Sequence, residues 1–201
     1  MPLPLIKKGM ETQNDIISGI LKIFNEKGHS EYGGEAVTQL EHALQTATLA
    51  REHNASDQLI TAALLHDIGH LLHDLPNDAP LHGIDDVHEN KAAAFLRKYF
   101  PDAVTEPVRL HVMAKRYLSS TEEDYYAMLS EPSKQSLVLQ GGLMSSAEVS
   151  DFEQHPFFSD AVKLRKWDDQ AKVKALPTAP VEDFEKNIAV SLRLYFLEDK
   201  V

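Results

Sequence analysis

The chain has 201 residues, of which 43% are hydrophobic and 25% are charged, which is typical of a soluble globular protein. Its net charge of −11 argues against binding to nucleic acid, which needs cationic surface, and the lack of cysteine excludes disulfides and thiolate metal sites. The apolar runs are too short for a signal peptide or a membrane span. We therefore expect a cytoplasmic protein without nucleic-acid or membrane partners.

The apolar residues recur at intervals of three and four, which predicts an all-α helical bundle with no strands. A first helix carries Ile16, Ile20 and Phe24 and stops at Lys27-Gly28. Further helices are predicted at about 36–52, 56–72, 88–99, 103–118, 132–140, 156–167 and 181–197. The last one, within the C-terminal segment 176–201, is expected to pack on the bundle through Phe184, Ile188, Leu192 and Tyr195. The sequence predicts a single domain over residues 1–201, with its motifs within about 30–170.

An unusual carboxylate marks the predicted helix 56–72. Asp67 shares the apolar face of this helix with Ile60 and Leu64, and His66 precedes it. A buried carboxylate without a cation is costly, whereas a metal ion would remove that cost, and Asp67 could bridge two ions. For an isolated His-Asp pair the alternative is that Asp67 caps a neighbouring segment beside a core histidine.

Other residues of ligand type lie on other predicted amphipathic helices, each expected to face the same core: His42, His88, His111 and Asp168. Together with His66 and Asp67 they offer four imidazoles and two carboxylates, which suit iron, manganese or a similar transition ion better than magnesium or calcium. Inward-facing His and carboxylate residues of helical bundles can form two-metal sites. The remaining histidines are expected at the surface or in loops: His29, His53, His73, His82 and His155.

Three potential cations lie one helical turn from these predicted ligands, on the same helix faces: His70, Lys115 and Arg165. A phosphonate or phosphate group would satisfy them, because arginine offers paired N–H donors and lysine a point charge. The alternative is that Lys115 and Arg165 are solvated at the surface and that His70 ends a helix. The spacing therefore favours an anionic substrate.

The order His…His-Asp…His…His…Asp resembles that of dinuclear HD-domain proteins. Within that group, five separated segments resemble the organophosphonate-cleaving HD oxygenases (PhnZ type): Tyr-Gly-Gly-Glu at 32–35, Gln-Leu-Glu-His at 39–42, the stretch 111–118, Gln-Gly-Gly at 140–142 and Arg-Lys-Trp-Asp at 165–168. The resemblance implies a mixed-valent Fe(II)/Fe(III) pair with O2 as co-substrate. It implies one iron bound by His42, His66, Asp67 and Asp168, and a second bound by Asp67 as the bridge, His88 and His111.

The resemblance also implies roles around the substrate. Asp67 and His70 would be catalytic, and the phosphonate would be bound by His70, Lys115, Ser133, Ser136 and Arg165. Tyr32 and Glu35 would face the cationic end of the substrate. The alternatives are that Ser133 and Ser136 are ordinary residues at a helix start and that Glu35 is a solvated glutamate. The expected reaction is oxidative C–P cleavage of 1-hydroxy-2-(trimethylammonio)ethylphosphonate or 1-hydroxy-2-aminoethylphosphonate, giving glycine betaine or glycine plus phosphate.

One segment departs from the known relatives. The loop 71–87 has no aromatic residue and carries four acidic ones, Asp74, Asp78, Asp85 and Asp86.

Two other functions are considered for the same sequence: an HD-domain metal-dependent phosphohydrolase acting on a small phosphate ester, and a non-catalytic HD-like interaction domain. The interaction domain is disfavoured, because it would not need buried ligands. We expect a monomer.

Overall fold

The structure is a computed structural model that describes residues 11–72 and 83–193. Over these ranges the chain forms α-helices joined by short loops, and its one β-bridge, between Glu31 and Thr38, is isolated. The helices are α1 (Gln13–Lys27), α2 (Gln39–Glu52), α3 (Asp57–Leu65), α4 (Ile68–Leu71), α5 (His88–Leu96), α6 (Asp102–Thr121), α7 (Tyr125–Met128), α8 (Glu131–Leu139), α9 (Ser146–Glu153), α10 (Phe158–Gln170) and α11 (Glu185–Ser191). The predicted all-α fold is confirmed.

Helix α2 begins at a capping box, slightly later than the predicted start at 36. The Thr38 hydroxyl accepts from the backbone N–H of Glu41, and the Glu41 carboxylate accepts from the N–H of Thr38. Helix α3 begins in a similar way, because Ser56 accepts from the backbone N–H of Leu59. These caps set the starts of the two helices that bring His42 and His66 to the core.

The core lies between helices that carry predicted ligands. Helix α10 packs along α6 and against α2, α3 packs against α2 and α6, and α5 packs against α6. The largest fully buried side chains of this bundle are Phe24, Phe100, Phe184, Ile20, Leu64, Leu65, Ile68 and Leu96. Burial of this apolar surface stabilises the bundle and fixes the ligand-bearing helices relative to one another.

The prediction of one continuous helix over 56–72 is wrong, because the helix is interrupted at His66-Asp67. Helix α3 ends at Leu65 and α4 starts at Ile68, with Asp67 between them at φ −103° and ψ 9°. Gly69 brings α4 against α5, since a Cβ on this residue would lie 2.0 Å from the carbonyl oxygen of His88. Only glycine permits this close approach, which holds His88 beside the His66-Asp67 break.

The C-terminal prediction is partly corrected. A short 3-10 helix at Val181–Phe184 precedes α11, which ends at Ser191 and not at 197. Phe184, Ile188 and Leu192 are buried as expected, while Tyr195 lies outside the described residues. The short helices α7 and α9 were not predicted. Among the helices of the two described ranges, none has the length and apolar character needed to cross a membrane.

Candidate active site

The fold brings the predicted metal ligands together in its core. All are buried, the most exposed being His88 at 7%. They form two groups, in each of which one ligand atom per residue lies within 4.8 Å of the others: His42 with His66 and Asp168, and Asp67 with His88 and His111. This division parallels the one that the family resemblance implies.

Hydrogen bonds set the tautomers of three of the histidines. Each Nδ1 donates to a backbone carbonyl: His42 to Ala171 at 2.8 Å, His66 to Ala63 at 2.8 Å and His111 to Val108 at 2.7 Å. Because a carbonyl oxygen can only accept, Nδ1 carries the hydrogen and the neutral ring presents a lone pair at Nε2. The three rings are therefore oriented as metal ligands.

The inward atoms of this cluster lack donors of their own. The Nε2 atoms of His42 and His66 lie 3.2 Å apart, and those of His88 and His111 are also separated by 3.2 Å. Within residues 11–72 and 83–193, neither Oδ1 of Asp67 nor Oδ1 of Asp168 has a hydrogen-bond partner, although both oxygens are buried. When these rings are neutral, the Nε2 lone pairs within each pair point at one another and repel, and bound cations would relieve that repulsion. The residues present thus fit a pair of metal ions.

Asp67 lies between the two histidine pairs. Its Oδ1 is 3.3 Å from Nε2 of His88 and 3.5 Å from Nε2 of His111. Its Oδ2 is 3.2 Å from Nε2 of His66 and 3.6 Å from Nε2 of His42. One oxygen of the same carboxylate therefore faces each pair, as a bridging ligand requires.

Burial and charge act differently on these histidines. Burial lowers the pKa of His42 to about 4 and holds the pKa of His111 well below its ordinary value, so both rings are neutral. Burial also opposes a charge on His88, but Asp67 and Asp86 outweigh it and raise its pKa to about 10. The carboxylates that attract a proton to this position would equally attract a metal ion.

Asp86 is a residue of the site that the sequence analysis noted only as part of an acidic loop. Its carboxylate accepts from Nδ1 of His88 at 2.9 Å and pairs with Nδ1 of His70 at 2.6 Å. The His70 ring stacks on the His88 ring with centroids 3.9 Å apart. Val87, which lies between Asp86 and His88 in the chain, has a φ of 47°, a strained value for a β-branched residue. Asp86 thus orients a predicted ligand and a predicted catalytic residue together.

Arg165 lies beside Asp168 as its spacing predicts, but its charge is already neutralised. Its Nη1 donates to Asp168 at 2.8 Å, Nη2 donates to Asp169, and Nε donates to the Tyr125 hydroxyl at 3.1 Å. Burial would raise the pKa of Asp168, but the Arg165 guanidinium outweighs it and holds that pKa below its ordinary range. The arginine therefore supports a predicted metal ligand in addition to lining the pocket.

All of the residues predicted to bind the phosphonate line one pocket that borders the His/Asp cluster: His70, Lys115, Ser133, Ser136 and Arg165. The Lys115 ammonium donates to the Ser136 hydroxyl at 2.8 Å and is only 3% exposed. Burial, aided by the positive charge of Arg165, lowers the pKa of Lys115 to about 7. A bound anion would stabilise the charged form of this lysine.

Replacing Lys115 by methionine is expected to raise the KM for a hydroxyphosphonate about ten- to a hundredfold, the usual weight of a lost charge-assisted contact. The free energy of unfolding should not fall, because an apolar side chain of similar length replaces a buried charge that forms no salt bridge with the described carboxylates. Steady-state kinetics, metal analysis and thermal unfolding would measure the three quantities. The exposed Lys163→Met variant is the control. An unchanged KM in Lys115→Met would place the anion elsewhere.

The turn before α2 brings Tyr32 and Glu35 to the same pocket. Gly33 and Gly34 have φ values of 50° and 84°, left-handed conformations that favour glycine. The Tyr32 ring stacks on the His42 ring with centroids 3.9 Å apart. Glu35 has two polar partners: its Oε1 accepts from the Ser130 hydroxyl and lies 3.2 Å from the ammonium of Lys172.

Lys172 is the second site residue that the sequence analysis missed. Its ammonium donates to the Ser133 hydroxyl at 2.8 Å and lies 5.9 Å from the Tyr32 ring centroid. The backbone on both sides is fixed, because Ala171 accepts from His42 and Val173 exchanges two hydrogen bonds with Gln45. Lys172 follows Asp168 by four residues, as Lys115 follows His111, but it lies beyond the end of α10 at Gln170, so helical spacing could not place its side chain.

A helical bundle with buried ligands in the order of an HD domain defines the class of this protein as an HD-domain protein. The HD domain family model matches residues 39–135. The chain is 47% identical over 180 residues to a hydroxymethylphosphonate dioxygenase of Gimesia maris, with 89% of each chain covered. It is 41% identical over 160 residues to the glycine-betaine-forming [1-hydroxy-2-(trimethylamino)ethyl]phosphonate dioxygenase of Leisingera caerulea, covering 80% of this chain and 82% of the relative.

A third relative, uncharacterized protein L432 of Acanthamoeba polyphaga mimivirus, is 36% identical over 189 residues, covering 92% of this chain and 85% of its own. These matches extend well beyond the HD-domain segment itself. The chain therefore belongs to the family of HD-domain phosphonate oxygenases.

Proposed function

We propose that this protein is an O2-dependent oxygenase that cleaves the C–P bond of a small 1-hydroxyphosphonate and releases phosphate. The observation that carries the proposal is the similarity to two relatives named as phosphonate dioxygenases, which covers at least 80% of this chain in each case. The pocket beside the buried His/Asp cluster supports the same conclusion, because the Lys115 ammonium and the hydroxyls of Ser133 and Ser136 line it and could donate to phosphonate oxygens.

The proposed cofactor is a mixed-valent Fe(II)/Fe(III) pair. His42, His66 and Asp168 would hold one ion, His88 and His111 the other, and Asp67 both. The ions would supply Lewis acidity and the chemistry of O2. The Nδ1 hydrogen bonds of the histidines and the Asp86 carboxylate would keep these rings in place during turnover.

The protein's own contribution to the reaction is to bind and orient the substrate. Lys115, Ser133 and Ser136 would bind the phosphonate oxygens, and this binding would direct C1 and its hydroxyl toward the proposed metal ligands. Nε2 of His70 lies 4.0 Å from Oδ1 of Asp67, and Nδ1 of His70 is held by Asp86. Because burial lowers the pKa of His70, the neutral ring would present a lone pair at Nε2, which can accept from a substrate hydroxyl from a fixed position. The atoms balance: a 1-hydroxyphosphonate and one O2 give one carboxylic acid and one phosphoric acid, and O2 is the oxidant.

Removal of O2 is expected to stop phosphate release from a 1-hydroxyphosphonate, because no other oxidant takes part in this reaction. The iron-loaded protein would be assayed for phosphate in air and under strict anaerobic conditions. With 18O2, one labelled oxygen should enter the carboxylate product.

A phosphohydrolase using the same residues would behave differently. It would release phosphate from small phosphate esters, and the rate would not depend on O2. Phosphate release at an undiminished rate without O2 would thus contradict the proposed oxygenase and favour the hydrolase.

A further inference from the structure

We propose that Asp169 is a positioning residue of the metal centre: its carboxylate holds and neutralises Arg165, so that Asp168 keeps its charge and one oxygen for a metal ion. Asp169 stands outside both groups of proposed ligands. The inference rests on the proposed metal centre and adds to it a carboxylate that acts through the arginine.

The first support is the way in which Asp169 binds the guanidinium of Arg165. Its Oδ1 accepts from Nη2, and its Oδ2 accepts from Nε at 3.2 Å. Paired N–H bonds between a planar guanidinium and a carboxylate fix the relative orientation of the two groups. The Tyr125 hydroxyl donates to the same Oδ2 and accepts from Nε of the arginine at 3.1 Å. The arginine is therefore held along an edge that Asp168 does not use.

Helical geometry explains why one arginine can contact both carboxylates. Asp168 and Asp169 follow Arg165 by three and four residues in α10, and both spacings place a side chain on the face of the arginine. Tyr125 comes from α7 and is buried. The second carboxylate is thus built into the helix that carries the metal ligand.

The second support concerns the two oxygens of Asp168. Nη1 of Arg165 donates to Oδ2 at 2.8 Å, whereas the buried Oδ1 has no hydrogen-bond partner among the residues that the structure describes. Oδ1 also lies 3.4 Å from Nε2 of His42, the nitrogen with which that ring would bind a metal ion. The arginine therefore occupies one oxygen of Asp168 and favours the other as the oxygen that contacts an ion beside His42.

The third support is the balance of charge. Arg165 is only 4% exposed, so solvent screens its charge weakly. Without Asp169 this charge would face Asp168 alone and would offset the anion that a metal ion needs. With Asp169 present, one positive and two negative charges leave the three side chains with a net negative charge. Asp168 consequently remains an anionic ligand although a guanidinium touches it.

The other cations of the pocket make this balance more important. Lys115 and Lys172 line the same pocket as Arg165. Lys172 is paired with Glu35, whereas the Lys115 ammonium donates to a hydroxyl and forms no salt bridge with the described carboxylates. Loss of Asp169 would therefore leave a further unbalanced cation beside the proposed metal ions.

The test is the affinity of the metal-depleted full chain for Co2+, measured by calorimetry, with the visible absorption of Co2+ as a report on its ligands. Asp169→Asn keeps the shape of the side chain and removes its charge. One Co2+ ion should bind about ten- to a hundredfold more weakly, the usual effect of removing a residue that holds a metal ligand, and its absorption should change. The second ion, beside His88 and His111, should keep its affinity within about threefold.

Two variants that keep the charge separate it from the other contacts. Tyr125→Phe removes only the hydroxyl, and Asp169→Glu moves the carboxylate by one methylene, so both should bind Co2+ within about threefold of wild type. Asp160→Asn, which breaks an exposed ion pair with Lys163 on the same helix, is the matched control. If Asp169→Asn folds poorly, Asp169→Gln removes the same charge with a longer amide that can still accept from the arginine.

The route through the arginine is tested in the Arg165→Ala background. There the further change Asp169→Asn should alter Co2+ affinity by less than about threefold, because the group that Asp169 neutralises is gone. A full loss in this background would mean that Asp169 acts on the ions directly.

Two further results would overturn the role of Asp169. One is an unchanged affinity for both Co2+ ions in the neutral variants, and the other is an equal weakening of both ions, which would reduce the residue to support of the fold. Co2+ binding needs neither O2 nor substrate. If the oxygen-dependence assay rejected the oxygenase, the expected pattern of Co2+ affinities would still establish the role of Asp169 at the metal centre.

Discussion

Replacement of Asp67 by alanine is expected to remove both metal ions and reduce activity to background. The reason is geometric, because the two oxygens of this carboxylate face different histidine pairs, Oδ1 toward His88 and His111 and Oδ2 toward His66 and His42. Without the bridge, each ion would lose an anionic ligand, and the negative charge that offsets the repulsion between the two cations would be gone. Metal analysis of the purified variant, with circular dichroism to establish its fold, would measure the effect.

Asp168→Ala provides the matched comparison for the bridge. Asp168 lies with His42 and His66 and belongs to only one of the two ligand groups. Its loss should therefore deplete mainly one ion and leave the second bound. Two full equivalents of metal in the Asp67→Ala variant would contradict the bridging role, and so would identical losses in the two variants.

Arg165→Ala is expected to destabilise the folded protein by about 3–5 kcal/mol, the usual cost of breaking a buried ion pair. Arg165 is 4% exposed and donates to both Asp168 and Asp169. Its removal deprives two carboxylates of their guanidinium partner, and one of them, Asp168, is a proposed metal ligand. For a domain of this size the melting temperature should fall by roughly 6–20 °C.

The same variant should also bind less metal, unlike Lys115→Met, whose effect is expected on substrate binding alone. Thermal unfolding and metal analysis of Arg165→Ala beside Arg165→Lys would separate charge from geometry. Lysine keeps a positive charge but cannot contact Asp168, Asp169 and Tyr125 at once. Unchanged stability and metal content in Arg165→Ala would mean that the arginine serves the substrate only.

The helical class and the clustering of ligand candidates could both be predicted from the helical periodicity of the apolar residues. Helical periodicity identifies which face of each segment is buried, and a histidine or aspartate on such a face needs a partner. His111 and Asp168 could be placed in this way because each lies within a regular helix whose apolar neighbours define the inward direction. Lys115 follows from His111 by the geometry of one turn.

Features without a regular period escaped prediction. The break at His66-Asp67 depends on the contact of Gly69 with the His88 carbonyl, a tertiary contact that no local pattern encodes. Asp86 stands in a loop, and its role arises from where the strained Val87 turns the chain. Lys172 lies just beyond the end of α10 and acquires its partners from a distant turn, since Glu35 comes from the segment before α2.

The hydrogen bonds around residues 171 and 173 have a consequence for evolution. They hold the main chain of this segment to α2 and leave only the side chain at 172 to contact the pocket. Replacement of Lys172 would change the charge of the pocket wall, while the tautomer of His42, set by the carbonyl of Ala171, would stay the same. The charge of the pocket wall and the orientation of a candidate metal ligand are thus set by different atoms of the same short segment.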